Sequence, residues 1–427
     1  MDLSVRKSSL SGMIDVPTSK SHTIRGILLG LMADGTSTIK KPLVSEDTLS
    51  CLKAASILGA WIKRGDDTVW RISGTNGNLL EPAGVIDMGD SGTGLSLFTA
   101  IASLMPFPVF FDGDSSLRTR KMAPLLNALE ELKGEYNASE GGLCPLAVKG
   151  PIQSGEARID GPSSQYVSAL LFAAPLLKGD TIIHVKNPCE IPYVLMTLSW
   201  LEKQNIAFEV SSDLTYFKVK GNQKYHSFTT TIPVDFSTAA FPLLAAAVTG
   251  SSIAIPNLDF EDTQGDKAVF DIFASCGVEI RKEDGMTTIT GPGAGKLKPF
   301  TADLNATPDA VPVLSVLAAF ANGESRLENV AQARAKETDR LACMAKEITK
   351  MGVNVEELPD GLVIQGGSPK ASREFESYGD HRIAMALSAG ALAFAEESIV
   401  RNAEAANVTY PDFIEDFRKL GADFAIL

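Results

Sequence analysis

The sequence predicts an α/β protein made of six copies of a βαβαββ unit, three in each of two lobes. Two sets of short landmarks recur about every seventy residues, one typical of helix starts and the other of helix ends. Between them the chain follows the order strand, helix, strand, helix, strand, often with one more strand. Solenoids and helical arrays normally repeat every ~20–50 residues, so this longer spacing favours a lobed α/β repeat.

The first landmark is a polar cluster that precedes an apolar helical run. Ser, Thr, Asp and Asn side chains accept hydrogen bonds from the free N–H groups of a helix start, so each cluster predicts a helix N-terminus. The six clusters are Thr18-Ser19-Lys20-Ser21, Asp90-Ser91-Gly92-Thr93, Ser163-Ser164-Gln165, Asp235-Phe236-Ser237-Thr238, Thr307-Pro308-Asp309 and Gly379-Asp380-His381-Arg382.

The second landmark closes a later helix of each unit. Glycine, or asparagine in one copy, stands where a helix commonly ends in a left-handed residue. The six helix ends are Leu58-Gly59-Ala60, Lys133-Gly134-Glu135, Asn205-Ile206-Ala207, Cys276-Gly277-Val278, Met351-Gly352-Val353 and Leu420-Gly421-Ala422.

Composition limits the possible ligands and the compartment. The net charge of −13 argues against a general nucleic-acid binder, so an anionic ligand has to be held by local cations. The five cysteines form no close pairs, which argues against a zinc cage or a disulfide framework. The N-terminus lacks the apolar core of a signal peptide, and the apolar runs at 169–177 and 239–248 are too short for a membrane span. We therefore expect a soluble cytoplasmic protein.

Cations stand at several of the predicted helix starts. If the units of a lobe are parallel, their helix N-termini face the same side, where free N–H groups and helix dipoles favour anions. The expected ligand therefore carries phosphate or carboxylate groups. The cations are Lys20, Arg25, Arg118, Arg120, Lys336, Arg340 and Arg382.

The densest charged run is Arg334-Ala335-Lys336-Glu337-Thr338-Asp339-Arg340. Apolar residues at helical spacing follow it, so a helix is expected to begin near Thr338, capped by that residue or by Asp339, and to end at Gly352. Lys336 and Arg340 are four positions apart and can share a face. The local pattern leaves two interpretations open, a solvated helix start and an anion site.

Two stretches imitate known catalytic motifs. Gly89-Asp90-Ser91-Gly92 looks like the nucleophile loop of a serine protease, but none of the four histidines lies in a matching context, so a helix cap is the better interpretation. Residues 291–296 resemble a phosphate loop, yet Leu297 replaces the required Ser or Thr and no apolar helix follows. We expect a turn between strands there.

The clusters together resemble the 5-enolpyruvylshikimate-3-phosphate synthase family of enolpyruvyl transferases, in order and spacing, across essentially the whole chain. The motifs that carry the resemblance are residues 17–25, Asp90-Ser91-Gly92-Thr93, Arg118-Thr119-Arg120-Lys121-Met122, Ser163-Ser164-Gln165, Pro308-Asp309-Ala310, Lys336-Glu337-Thr338-Asp339-Arg340 and Asp380-His381-Arg382. The combination is specific, although no single motif is.

The resemblance implies a two-lobed inverse α/β barrel with six βαβαββ units, three per lobe. One lobe would be residues 20–234 and the other residues 1–19 with 235–427, with the active site in the cleft between them. It also implies transfer of the enolpyruvyl group of phosphoenolpyruvate to the 5-hydroxyl of shikimate 3-phosphate, a step of the shikimate pathway toward chorismate and aromatic amino acids. No metal or organic cofactor, no nucleic acid and no membrane partner is implied, and we expect a monomer.

The resemblance also assigns roles to residues. Proton transfer and orientation of the hydroxyl would fall to Lys20, Asp309 and Glu337. The acceptor would be held by Ser21, Arg25, Ser163, Ser164, Tyr193 and Lys336, and Gln165 would bind between the two substrates. Phosphoenolpyruvate would be held by Gly92, Arg120, Arg340 and Arg382, with Asp235 and Asp380 behind them. Taken alone, the serines and these two aspartates are equally well explained as helix caps.

Six positions depart from the family pattern. Thr18, Ile24 and Gln332 replace a usual glycine, asparagine and asparagine, and the other three affect charges. Ser96 stands where an arginine is usual, Val408 where a lysine is usual, and Glu190 where a serine usually helps to bind the acceptor's phosphate. A charged hydrogen bond is worth roughly 1.5–3 kcal/mol, and a carboxylate beside a phosphate is repulsive, so these changes bear on function. Three hypotheses follow: an active synthase in which Lys121, Arg118 or Arg401 replaces the lost cations, a transferase for another acceptor, and a catalytically idle relative.

A sister family, the UDP-N-acetylglucosamine enolpyruvyl transferases, is disfavoured. It has a cysteine, or sometimes an aspartate, in the loop before the arginine matched by Arg120. Residues 112–119 contain no cysteine, although Asp112 and Asp114 lie nearby.

Overall fold

The computed structural model describes residues 1–66, 68–160 and 163–427. The chain forms two compact units. We call Thr18–Ile232 the central unit, and Met1–Pro17 together with Pro233–Leu427 the terminal unit. Each has its own hydrophobic core.

The described residues contain 24 strands and twelve α-helices. The strands are β1 (Leu3–Arg6), β2 (Ser11–Met13), β3 (Thr36–Lys40), β4 (Trp61–Arg64), β5 (Val69–Ser73), β6 (Ile86–Asp87), β7 (Val109–Asp112), β8 (Glu135–Ser139), β9 (Leu143–Lys149), β10 (Glu156–Asp160), β11 (Thr181–Lys186), β12 (Phe208–Val210), β13 (Tyr216–Val219), β14 (Thr229–Thr231), β15 (Ser252–Pro256), β16 (Glu279–Glu283), β17 (Met286–Thr290), β18 (Thr301–Asp303), β19 (Gly323–Glu328), β20 (Asn354–Leu358), β21 (Gly361–Gly366), β22 (Glu374–Glu376), β23 (Ser398–Arg401) and β24 (Asp423–Ile426). The helices are α1 (Lys20–Met32), α2 (Glu46–Ile57), α3 (Gly92–Ala102), α4 (Ala123–Glu131), α5 (Ser164–Ala173), α6 (Ile191–Lys203), α7 (Phe236–Thr249), α8 (Ala268–Ser275), α9 (Val311–Phe320), α10 (Arg340–Lys350), α11 (His381–Ala391) and α12 (Phe413–Leu420).

The strands form six four-stranded sheets of one design in the described part of the chain. In each sheet two neighbouring strands are parallel, and the other pairs are antiparallel. The strand orders are β14-β3-β5-β4, β6-β7-β9-β8 and β10-β11-β13-β12 in the central unit, and β2-β15-β17-β16, β18-β19-β21-β20 and β22-β23-β1-β24 in the terminal unit. A parallel pair needs a crossover helix, which gives the βαβαββ pattern and confirms the predicted repeat.

Three sheets contain a strand that is distant in sequence from its neighbours. β2 pairs with β15 in the register Ser11↔Ser252, because the central unit is inserted between them. β14 returns to pair with β3, in the register Thr229↔Thr38. β1 lies between β23 and β24 and so completes the sheet formed by the C-terminal residues.

The first helix of each repeat is apolar nearly all round and forms the core of its unit. In the central unit α3 packs on both α1 and α5, and in the terminal unit α7, α9 and α11 pack on one another. A helix that is hydrophobic on every face is stable only when it is enclosed. These helices therefore fix where their polar N-terminal residues lie.

The predicted helix starts are confirmed. Side chains of Ser19, Ser91, Ser163, Asp235 and Asp380 accept hydrogen bonds from backbone N–H groups of the helices that follow. In the sixth cluster, residues 308–310 form a 3₁₀ turn that leads into α9. The run at 334–340 also behaves as expected, because α10 begins at Arg340 and is capped by Asp339.

Five helix ends are as predicted and one differs. Left-handed φ values occur at Gly59 (112°), Asn205 (56°), Gly277 (101°), Gly352 (75°) and Gly421 (105°). In the remaining unit the left-handed residue is Lys133 (71°), not Gly134. A Cβ on Gly134 would lie 2.8 Å from Cγ2 of Ile152 and 3.0 Å from the carbonyl oxygen of Leu129, so close packing requires that glycine instead.

The stretch at 291–296 is a turn between β17 and β18, as predicted. Among the described residues, no helix has the length and apolar character needed to span a bilayer.

Candidate active site

Arg340 is the centre of a charged network in the terminal unit. As the first residue of α10 it is fully buried, yet its guanidinium reaches three carboxylates. Nε donates to Asp380 Oδ2 (2.8 Å), one terminal nitrogen to Asp309 Oδ1 (2.7 Å) and the other to Glu337 Oε2 (2.6 Å). Burial acts to lower the pKa of Arg340, but the three carboxylates raise it well above its usual range.

Asp309 links this network to a second arginine. Its Oδ2 lies 2.9 Å from a terminal nitrogen of Arg382, which is the second residue of α11. Burial opposes ionisation of Asp309, but Arg382, Arg340 and Lys336 outweigh it and hold the pKa of the carboxyl well below its usual range. A carboxylate that stays ionised beside fixed cations can accept a hydrogen bond from a bound hydroxyl and so orient it, whereas its lowered pKa makes it a weak base.

The two aspartates expected behind the phosphoenolpyruvate site have different surroundings. Asp380 caps α11 through the N–H of Arg382 (2.8 Å) and also accepts from Arg340 and from Thr338 Oγ1 (3.2 Å). Asp235 caps α7 and bonds to the N–H of Thr238 at 2.9 Å. The structure thus brings Asp380 into the Arg340 network, whereas the bonds of Asp235 belong to its own helix start.

In the central unit, Lys20 is paired with a carboxylate that the sequence did not reveal. Its Nζ lies 2.8 Å from Asp47 Oδ2, with exposed side-chain fractions of 16% for Lys20 and 4% for Asp47. Lys20 begins α1 and Asp47 lies in the first turn of α2. The pair fixes the direction of the ammonium group.

Arg25 is buried among neutral oxygens. It donates to Thr197 Oγ1 (3.0 Å), the carbonyl of Ser21 (3.0 Å), the carbonyl of Tyr193 (3.1 Å) and Ser168 Oγ (3.4 Å). Within the described part of the chain no carboxylate forms an ion pair with it, and desolvation lowers its pKa to about 10. A buried cation without a counter-charge is costly, and an anionic ligand would remove that cost.

Arg120 lies directly over the start of α3. One terminal nitrogen lies 2.7 Å from Asp90 Oδ1, and the other occupies the space beside Gly92. A Cβ on Gly92 would lie 2.5 Å from that nitrogen. The absent side chain of Gly92 is therefore what lets Arg120 reach this helix start.

The N-termini of α3 and α5 are joined by side chains. Gln165 Nε2 donates to Thr93 Oγ1 at 3.1 Å, and Ser163 Oγ accepts from the N–H of Gln165 at 3.3 Å. The predicted residues Gly92 and Ser163 to Gln165 thus share one end of the central unit's core.

Glu190 contacts this end as well. Its Oε2 accepts from Ser164 N (3.0 Å) and from Ser164 Oγ (2.7 Å). Glu190 is 1% exposed and precedes α6 with a left-handed φ of 53°. A carboxylate therefore lies against Ser164, one of the two serines expected to bind the acceptor's phosphate.

The other two departures that affect charge lie on separate elements of the chain. Ser96 is buried within α3, with its hydroxyl 3.7 Å from Met122 Sδ. Val408 ends the 3₁₀ turn of residues 403–408. Of the suggested replacements, Arg118 is held by both oxygens of Asp112, and Arg401 by Asp2 and Glu374. Those two arginines give the replacement hypothesis no support.

Sequence reasoning missed the partners of the predicted cations. Asp90 was identified only as part of a cap cluster, although the cap is Ser91. Ser168 and Thr197 carried no signal, because their contacts depend on how different helices pack. For Asp47 the acidic first turn of α2 was the one visible hint.

Comparison with known proteins is consistent across the chain. The family model described as EPSP synthase (3-phosphoshikimate 1-carboxyvinyltransferase) matches residues 5–417. A relative from Acetivibrio thermocellus, named 3-phosphoshikimate 1-carboxyvinyltransferase, is 41% identical over 100% of this chain and 99% of its own. One of the same name from Methanococcoides burtonii is 40% identical over 99% of each chain.

Solved structures agree on the fold. The EPSP synthase of Acinetobacter baumannii superposes with a TM-score of 0.82 at 24% identity, over 100% of both chains. The enolpyruvyl transferase NikO of Streptomyces tendae gives 0.81 at 16% identity, over 99% of this chain and 98% of its own. These likenesses confirm the expected inverse α/β barrel architecture. The full-length family match and the 41% identity together show that this chain belongs to the EPSP synthase family.

Proposed function

We propose that this chain transfers the enolpyruvyl group of phosphoenolpyruvate to the 5-hydroxyl of shikimate 3-phosphate and releases phosphate. Family membership and the names of its relatives support this reaction. The observation that carries the proposal is the Arg340 network. It holds two carboxylates, Asp309 and Glu337, within 2.6–2.7 Å of one buried guanidinium. Proton-transfer groups thus lie beside an anion-binding group.

The chemistry requires two proton movements. The acceptor hydroxyl loses its proton as its oxygen bonds to C2 of phosphoenolpyruvate, and C3 gains a proton, which gives a tetrahedral intermediate. Loss of a proton from the new methyl group then re-forms the double bond as the C2–O bond to phosphate breaks. We assign these transfers and the orientation of the hydroxyl to Lys20, Asp309 and Glu337.

Substrate charges are assigned to the remaining cations and helix starts. Arg120, Arg340 and Arg382 are proposed to hold phosphoenolpyruvate, with Gly92 giving access to α3 and with Asp235 and Asp380 behind them. Charge-assisted bonds from arginines and helix N-termini suit phosphate and carboxylate groups. The acceptor is assigned to Ser21, Arg25, Ser163, Ser164, Tyr193 and Lys336, and Gln165 to a place between the two substrates.

Arg25 is the proposed partner of the acceptor's carboxylate. Its hydrogen bonds to neutral oxygens orient the guanidinium but leave its charge uncompensated. Residues of both units are assigned to this one reaction, as the family resemblance implies. We further propose a cytoplasmic monomer that acts on small molecules, without a cofactor, nucleic acid or membrane partner.

The direct test incubates purified protein with phosphoenolpyruvate and shikimate 3-phosphate and follows phosphate release. Turnover is expected in the wild type and in Lys53→Met, an exposed lysine of α2, but not in Lys20→Met. No turnover by the wild type at millimolar substrates would overturn the proposal.

A second candidate is a transferase of the same fold for a different acceptor, and the contact of Glu190 with Ser164 is what favours it. Turnover with a hydroxylated acceptor that lacks a phosphate, and none with shikimate 3-phosphate, would select it. Thermal stabilisation by both substrates without turnover would instead indicate an idle relative.

A further inference from the structure

We infer that Glu190 is an internal anion that competes with the acceptor's phosphate for the N-terminus of α5. This inference rests on the proposed assignment of Ser163 and Ser164 to that phosphate. It makes Glu190 a determinant of acceptor affinity, at a position where the proposed chemistry itself does not need a carboxylate.

The contact between Glu190 and Ser164 has the geometry of anion binding at a helix start. A single carboxylate oxygen receives the backbone N–H and the hydroxyl of Ser164, at 3.0 and 2.7 Å. Ser164 is the first residue of α5, where free N–H groups and the helix dipole favour negative charge. A phosphate bound through Ser164 would need these same donors.

The backbone directs Glu190 to this place. It precedes α6 in a left-handed conformation, which is unfavourable for an L-residue. Its side chain accepts no hydrogen bond from its own helix start and turns to α5 instead. The turn is tied to the proposed acceptor site, because the N–H of Tyr193 donates to the Glu190 carbonyl (3.0 Å) and the Tyr193 carbonyl accepts from Arg25.

The charge of Glu190 acts on its surroundings. Burial, followed by the charge of Glu190, raises the pKa of the nearby Tyr166 to about 12. At 1% exposure, water screens the carboxylate poorly. A phosphate that binds at Ser164 would find its N–H and hydroxyl donors already bonded to Glu190, and the negative charge of Glu190 would repel it. Binding therefore requires Glu190 to move away.

Neutralising or shortening this side chain should strengthen phosphate binding. Glu190→Gln keeps an oxygen that can accept from Ser164 but removes the charge. Glu190→Ser removes the charge and also frees the N–H and hydroxyl of Ser164. We expect the KM for shikimate 3-phosphate to fall about tenfold or more, and the KM for phosphoenolpyruvate to stay within about twofold. The control is Glu131→Gln, because Glu131 is another carboxylate of the central unit that accepts a backbone N–H, from Arg158 at 2.7 Å.

A binding assay separates this inference from the proposed reaction. Thermal shift with millimolar inorganic phosphate should stabilise Glu190→Gln and Glu190→Ser, but not the wild type or Glu131→Gln. Equal shifts in all four proteins, or weaker binding in the Glu190 variants, would overturn the inference.

If the Glu190 variants bind phosphate but no protein turns over, the inference stands and the proposed reaction fails. If the proteins turn over shikimate 3-phosphate, but the Glu190 variants keep the wild-type KM and phosphate gives them no thermal shift, the proposed reaction stands and the inference fails. Should Glu190→Ser fail to fold, the nearly isosteric Glu190→Gln still decides.

Discussion

Arg120 places a terminal nitrogen where a methyl group on Gly92 would lie, only 2.5 Å from the position of that Cβ. The guanidinium of Arg120 can contact the start of α3 because residue 92 has no side chain. Its other terminal nitrogen is held by Asp90.

Gly92→Ala is expected to displace Arg120 and raise the KM for phosphoenolpyruvate by about 10–100-fold, the value of one charged hydrogen bond. The free energy of unfolding should change by less than about 1 kcal/mol, because alanine is the better helix former. Steady-state kinetics measure the KM, and urea unfolding measures the free energy of unfolding. Gly84→Ala is the matched control, since a Cβ there meets no atom within 4 Å. An unchanged KM in Gly92→Ala would contradict the role given to Arg120.

Arg340→Met should be among the most destabilising changes in the terminal unit. It leaves Asp309, Glu337 and Asp380 facing one another without the guanidinium that separates them. Breaking a buried ion pair costs about 3–5 kcal/mol. Chemical unfolding should show this loss, whereas Arg281→Ala, which removes an exposed pair with Glu279, should cost at most about 1 kcal/mol. Equal losses in the two variants would show that the network is not stabilising.

Asp309 should make stability depend on pH in the acid range. Its folded pKa lies below the unfolded value of 3.8, so its ionisation stabilises the fold above that pH and the contribution is lost as the pH falls below it. The difference in unfolding free energy between wild type and Asp309→Asn should therefore be constant near neutrality and shrink below about pH 4. Urea unfolding at several pH values measures it. If this difference in unfolding free energy instead grows as the pH falls, ionisation of Asp309 does not stabilise the fold.

Asp47→Asn should lower kcat by about 10–100-fold with a smaller effect on both KM values, because it releases the ammonium of Lys20 from a fixed direction. Asp47 acts through Lys20 and is a positioning residue. A double-mutant cycle with the conservative variant Lys20→Arg, which keeps the positive charge, distinguishes this from a general structural role. If the two losses simply add, the two residues act independently.

Local signals account for what the sequence predicted well. Caps such as Ser19 and Asp380 and helix ends such as Gly352 depend on neighbours within a few residues, so a repeated pattern exposes them. Lys133 was missed because the glycine beside it is required by packing against Ile152, which the chain order does not show.

The site was predictable as a set of charges but not as a network. Arg340 and Asp309 were identified, yet the 2.7 Å contact between them depends on the packing of α9 and α10. Glu190 was recognised as unusual, whereas its bond to Ser164 required knowing the left-handed turn before α6. Contacts between distant segments are decided by tertiary packing, which residue patterns do not encode directly.

The strand pairing also dictates an order of events during synthesis. The central unit is one continuous segment, so all its sheets can close once residue 232 has left the ribosome. β1 is made before the central unit, and within the described residues it pairs with β23 and β24, at residues 398–401 and 423–426. β1 therefore stays without these sheet partners until β23 and β24 have been made, and through that interval its apolar residues Leu3 and Val5 lack the burial they have in the folded protein.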